Sequence, residues 1–165
     1  MSQELEYFAK KFNNSNVKIL AVDDPAVGLY MRGNGITEVW EEKNSARVQI
    51  DAIPWSDYPG KLFSMLQEGR DDYDIIMAPG YFWLPKFASS GWLCTLDDMI
   101  QSNVKLWNVY DYDDIHPGLR FELEYLGKHF LFPCFSEIQL VFYRADLFKK
   151  EGVDLPKTPV SSEDY

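Results

Sequence analysis

Paired carboxylates are the first feature that could do chemistry. They occur at Asp23-Asp24, Asp71-Asp72, Asp97-Asp98 and Asp113-Asp114. Glycoside hydrolysis uses two carboxyl groups that face each other across the bond to be broken. Adjacent residues on a strand point to opposite faces, so these pairs do not set an acid against a base. No Ser-His-Asp or Cys-His set stands out, and neither a nucleophile elbow nor a phosphate-cradling loop is present. Gly33-Asn34-Gly35 lacks the third glycine of a dinucleotide fingerprint. His116 and His129 stand alone, without the spacing of a metal site. The pattern names no catalytic residue, cofactor or metal, and a carbohydrate hydrolase is the weaker reading.

Binding chemistry has the better candidates. Tyr73-Asp74-Ile75-Ile76-Met77-Ala78 is an apolar run of strand length, broken at Pro79-Gly80 and followed at once by Tyr81-Phe82-Trp83. Pro has no N–H to donate and Gly permits a sharp turn, so the strand ends there. In an open α/β sheet, the place just past a strand's carboxyl end is the ligand crevice. Three rings there suit a ligand with flat C–H faces; equally, they could begin a core helix. Asp23-Asp24-Pro25 closes an earlier strand, and its carboxylates are either turn formers or ligand acceptors.

The elements that must carry these residues alternate. Residues 2–12 place Leu5, Phe8 and Phe12 at helical spacing. Val17 to Val22 reads as a buried strand, and 31–44 as a helix with Ile36, Val39 and Trp40 on one face. Val48, Ile50 and Ala52 alternate with Arg47, Gln49 and Asp51, the pattern of a half-exposed strand. A loop over 54–60 leads to a helix over 61–69, with Leu62, Phe63 and Leu66 inward and Gly69 at its end. The strand over 73–78 follows, then a helix over 84–90 that stops at Gly91. Residues 92–96 read as a short extended piece, and 97–107 and 111–123 as further helices, the latter interrupted by Pro117. Strand, helix, strand, helix, strand, helix predicts a parallel sheet with right-handed crossovers. A hairpin turning at Gly127-Lys128, an apolar strand over 138–144 and a helix over 145–151 close the pattern. The tail ends in Ser161-Ser162-Glu163-Asp164, an N-cap signature with no helix behind it, so the chain is expected to be part of a longer protein.

Composition narrows the partners. The chain has 165 residues, 46% of them hydrophobic and 16% aromatic, enough for one packed domain. A net charge of -10 argues against DNA, RNA and anionic membrane surfaces, which repel an acidic protein. No apolar run reaches transmembrane length, and the first eleven residues lack the apolar core of a signal peptide. Cys94 and Cys134 are expected to be buried free thiols.

The ordered set of local sequences resembles the N-terminal part of bacterial extracellular solute-binding proteins of the carbohydrate type, which serve ABC importers. The likeness runs from the strand ending in Asp23-Asp24-Pro25 through Trp55-Ser56-Asp57-Tyr58 and Lys61-Leu62 to the 73–78 strand. It continues through Trp83-Leu84, Phe87-Ala88, Gly91-Trp92-Leu93 and Leu96-Asp97-Asp98. Its most specific part goes from Leu126-Gly127-Lys128 past Phe132-Pro133 and Glu137 to Phe142-Tyr143-Arg144-Ala145-Asp146-Leu147-Phe148, with Gly152 and Pro156-Lys157-Thr158 behind it.

That resemblance implies an α/β protein of the type II periplasmic-binding-protein fold, two lobes on a hinge. Residues 1–132 would be the first lobe, without its returning segment. Residues 133–165 would be the hinge crossover, near 132–136, and the start of the second lobe. It also implies a sugar or polyol ligand held by Asp23, Asp24, Trp55, Tyr81, Phe82, Trp83 and Glu137. Carboxylates accept sugar hydroxyls in charge-assisted bonds, and rings pack on C–H faces. Glu137 has a structural hydrogen bond at the crossover as its other reading. The implied partner is a membrane permease, and the implied place extracellular or periplasmic, on a lipid anchor carried by the precursor. A ligand-sensing receptor is an alternative on the same fold. An unpaired strand over 138–144 would be an edge prone to self-association or domain swapping.

Overall fold

In the computed structural model, the structure describes residues 14–27, 35–102, 104–134 and 142–154. Two compact units result, Met1–Pro133 and Cys134–Tyr165.

The first unit is built on a parallel sheet. Strand β1 (Asn16–Val22) lies between β2 (Arg47–Ile53) and β3 (Ile75–Ile76), in the order β2-β1-β3. Asn16 pairs with Arg47 and Val22 with Ile53; on the other side Ile19 and Leu20 pair with Ile75 and Ile76. Leu20, Ala21 and Val22 are buried in succession, as expected of a central strand covered on both faces. β3 is shorter than the 73–78 run suggested. Its flanks still hold to β1: the Asp74 N–H donates to the Lys18 carbonyl (2.9 Å) and the Met77 N–H to the Leu20 carbonyl (2.9 Å). The Asp74 carboxylate then turns back to accept the Lys18 N–H at 2.8 Å.

Helix α1 (Ile36–Asn44) joins β1 to β2, and Ile36 and Val39 on its apolar face are exposed. The expected helix start before Gly35 lies outside the described residues. Helix α2 (Tyr58–Gln67) joins β2 to β3 and begins earlier than the sequence pattern suggested. The Tyr58-Pro59-Gly60 stretch, expected in the loop, forms its first turn, where the missing N–H of Pro59 costs nothing. Gly69 ends the helix with φ +67°, the left-handed cap position that favours glycine. Leu20, Val22, Tyr58, Leu62, Met65 and Phe87 form the core, with Phe63, Leu66 and Trp83 packed against it.

Helix α3 (Gly80–Ser89) follows β3 and also starts earlier than expected. Pro85 lies inside it, as its sixth residue. Residues 92–96 are irregular, and the Leu96 N–H donates to the His129 carbonyl at 2.8 Å. The first later helical stretch is described as α4 (Asp97–Ser102) and α5 (Val104–Tyr110), with Asn103 outside the described residues. The second is divided into a 3-10 turn (Tyr112–Asp114) and α6 (Pro117–Leu123). A hairpin, β4 (Glu124–Tyr125) with β5 (Lys128–His129), turns at Leu126-Gly127, one residue before the expected place. Both turn residues have positive φ, +51° and +73°, which makes a primed two-residue turn.

In the second unit, α7 (Ala145–Lys150) is preceded by Arg144, whose guanidinium grips the Asp146 carboxylate at 2.8 and 2.7 Å. Most of the apolar strand expected over 138–144 lies outside the described residues, and 142–144 form no regular element. The expected burial of the thiols is corrected: Cys94 and Cys134 are both free and exposed.

Candidate functional site

The strand order sets where a ligand can sit. The chain leaves β1 toward β2 on one side and returns through α2 to β3 on the other. The carboxyl ends of β1 and β3 lie side by side, and in an open parallel sheet ligands bind past the carboxyl ends of the strands.

Asp23 and Asp24 lie just past β1, followed by a single helical turn, Pro25–Val27. The Asp23 N–H donates to the Ile53 carbonyl at 2.7 Å, tying this loop to the end of β2, and the Asp23 side chain is exposed. Asp24 is half-buried; its N–H donates to the Val22 carbonyl at 2.9 Å.

Beneath the crevice stands Tyr58, fully buried, which the sequence reading missed as a site residue. Its single hydroxyl proton is shared between the Leu20 carbonyl, at 3.1 Å, and the Met77 carbonyl. One side chain thus closes β1 and β3 together at their carboxyl ends. Burial pushes its phenol pKa up, so the hydroxyl stays a donor. No residue pattern marks this role; only the register does.

The rings divide into two sets. Trp55, after β2, stacks parallel on Trp83 with centroids 5.7 Å apart and planes 6° apart. Tyr58 lies beside that pair, nearly parallel to both and 6.4 Å from each. Trp83 also meets the edge of Phe63 at 5.4 Å, so it belongs to the core. Trp55 remains 53% exposed. Tyr81 and Phe82, in the first turn of α3, are 52% and 67% exposed with centroids 4.1 Å apart. Successive helical residues are separated by about 100°, which is why Trp83 turns inward while its two predecessors turn out. Glu137 lies outside the described residues.

A second constellation, also missed from sequence, lies at the hairpin. His129 Nδ1 is 2.9 Å from Asp97 Oδ1, and its Nε2 is 3.2 Å from Glu124 Oε1. Its backbone N–H donates to Asp97 Oδ2 at 3.1 Å. The Tyr112 hydroxyl donates to Glu124 Oε1 at 2.9 Å. The Asp97 carboxyl is held below the usual carboxylate range, chiefly by its bond from the His129 ring. Burial, and then the Glu124 carboxylate, push the Tyr112 phenol up. Each hydrogen bond joins two elements, so the set braces the hairpin against α4 and the 3-10 turn. Among the described residues, no group of three or more His, Cys, Asp or Glu could hold a metal ion. Among them too, no helix is long and apolar enough to cross a membrane.

The same fold recurs in solved structures. An ABC transporter solute binding protein from Agrobacterium vitis, with bound D-mannitol, superposes with a TM-score of 0.65 at 25% identity, over 88% of this chain and 33% of that one. Another, from Agrobacterium radiobacter in complex with ribitol, gives 0.64 at 18% identity, over 89% of this chain and 35% of that one. The fold is thus that of a type II periplasmic-binding-protein lobe. An erythritol/L-threitol-binding protein of Mycolicibacterium smegmatis is 27% identical over 166 residues, covering 94% of this chain and 33% of that protein. The chain spans about a third of the length of the curated relative it matches. The sequence model for bacterial extracellular solute-binding proteins matches residues 6–158, and the chain belongs to that family.

Proposed function

We propose that this chain forms the first-lobe part of an extracellular receptor that delivers a small polyol or sugar to an ABC importer. The ligand lies in the crevice past β1 and β3. Asp23 and Asp24 accept its hydroxyls, while Trp55, Tyr81 and Phe82 cover its C–H faces. Trp83 supports Trp55 from beneath. Residues 1–132 act as the lobe, and 133–165 as the crossover into a second lobe that closes over the ligand. The receptor works by binding alone, without chemistry of its own. Its partner is the importer's membrane permease, and a lipid anchor on the precursor keeps it near.

One observation carries this reading. Asp23 and Asp24 follow β1, Trp55 follows β2, and Tyr81 and Phe82 follow β3, so each lies past the carboxyl end of a strand of one parallel sheet. The ligands of the erythritol/L-threitol, ribitol and D-mannitol proteins support the chemical class. The test is isothermal titration of this chain with D-mannitol, ribitol and erythritol. Saturable 1:1 binding to at least one is expected. Silence with all three, and with a panel of monosaccharides, would overturn the ligand class.

A further inference from the structure

Helix α3 makes an unusually close contact at its first residue. A Cβ on Gly80 would stand 2.4 Å from the Glu122 carbonyl oxygen and 3.2 Å from Leu131 Cδ1. Ordinary C···O contacts lie at about 3.3–3.6 Å, so any side chain there would drive α3 back by about 1 Å. The obstacle is backbone, which cannot rotate aside. Gly80 needs no positive φ; it is needed only for this approach.

The obstacle is also well anchored. Glu122 lies in the last turn of α6, next to Leu123, which is buried. The Leu123 carbonyl accepts the Phe130 N–H at 3.1 Å, and Glu124 begins the hairpin that His129 joins to Asp97. α3 therefore starts against a braced surface. Tyr81 and Phe82 follow Gly80 directly, and Trp83, in the same turn, carries the stack with Trp55.

We infer that Gly80 is a positioning residue for the ligand crevice: its contact with the Glu122 carbonyl sets where Tyr81, Phe82 and the Trp55–Trp83 stack stand. The inference rests on the proposed polyol site only for its effect on affinity. Its effect on the rings is independent of any ligand.

Gly80→Ala is the test, read in two ways on the full chain. Near-UV circular dichroism at 20 °C reports the tryptophan environments in the folded state, the Trp55–Trp83 pair among them. Isothermal titration with D-mannitol and ribitol reports the site. Gly60→Ala is the control, because its Cβ would meet nothing within 4 Å. The expected result is an altered tryptophan dichroism and at least a tenfold loss of polyol affinity in Gly80→Ala, with both unchanged in Gly60→Ala. A merely destabilising substitution would lower Tm and leave the folded-state spectrum alone. An unchanged spectrum with unchanged affinity would therefore overturn the inference. If the unsubstituted chain binds neither polyol, the proposed site fails for them, and the spectrum alone decides the positioning role. If Gly80→Ala does not fold, Leu131→Ala replaces it. A smaller spectral change is then expected, and none would overturn the inference.

Discussion

Two aromatic regions of the first unit are held by different forces. At the carboxyl end of the sheet, Trp55, Tyr58 and Trp83 stack in parallel and run into Phe63 and Phe87. At the hairpin, Trp107 and Tyr112 pack at 4.7 Å and both present to the edge of His129. The first region is seated in apolar core, and the neutral Tyr58 hydroxyl anchors it to two backbone carbonyls. The second is closed by contacts of the His129 ring with the Asp97 and Glu124 carboxylates. Dispersion and apolar burial are insensitive to proton concentration, whereas a hydrogen bond to a carboxylate is not. The region nearest the candidate ligand should therefore keep its shape across pH, while the bracket behind it should not.

Substitutions can break this contrast, and the largest effect belongs to the core. Phe87→Ala removes a fully buried ring in contact with Phe63, Trp83 and Trp92. It should cost about 3–5 kcal/mol in chemical denaturation. Tyr58→Phe keeps the ring but leaves the Leu20 and Met77 carbonyls without their shared donor. About 1–3 kcal/mol should be lost, at every pH where the protein folds.

The hairpin should respond less and in a pH-dependent way. Asp97→Asn should cost about 1 kcal/mol near neutrality, since the pair is only partly buried. The sign of its pH dependence follows from the lowered carboxyl. A depressed folded-state pKa contributes stability that is fully present above the unfolded value, near 3.9, and is lost as pH falls through the lower folded value. The Tm gap between the unsubstituted chain and Asp97→Asn should thus be wider at pH 6 than at pH 3. A gap of equal size at both would place the Asp97 contribution elsewhere than in its charge. The smallest change is a gain. Leu126 holds φ +51° while 85% exposed, so Leu126→Asn should raise stability by about 0.5–1 kcal/mol in thermal melts.

Much of this could be read in the sequence because it rests on periodicity. β1, β2 and the alternation with helices follow from apolar spacing, and Asp23, Trp55, Tyr81 and Phe82 follow from being just beyond strand ends. Three things resisted for physical reasons. Trp83 could not be separated from its neighbours, because only the helical phase of α3 decides which ring turns inward. Tyr58 looked like a loop residue, because its role depends on two carbonyls 38 and 19 positions away. The Asp97–His129 bracket spans 32 positions and has no local pattern. The thiols were misjudged because cysteine is usually buried, a tendency that carries no information about a particular loop.

The most direct test of the ligand site is an amide chemical-shift titration of this chain with D-mannitol. The expected result is saturable shifts concentrated at residues 23–27, 55 and 77–82, with the 124–129 hairpin still. Shifts confined to the amino end of the sheet or to the hairpin, or no shifts at saturating polyol, would contradict a site at the β1/β3 crevice.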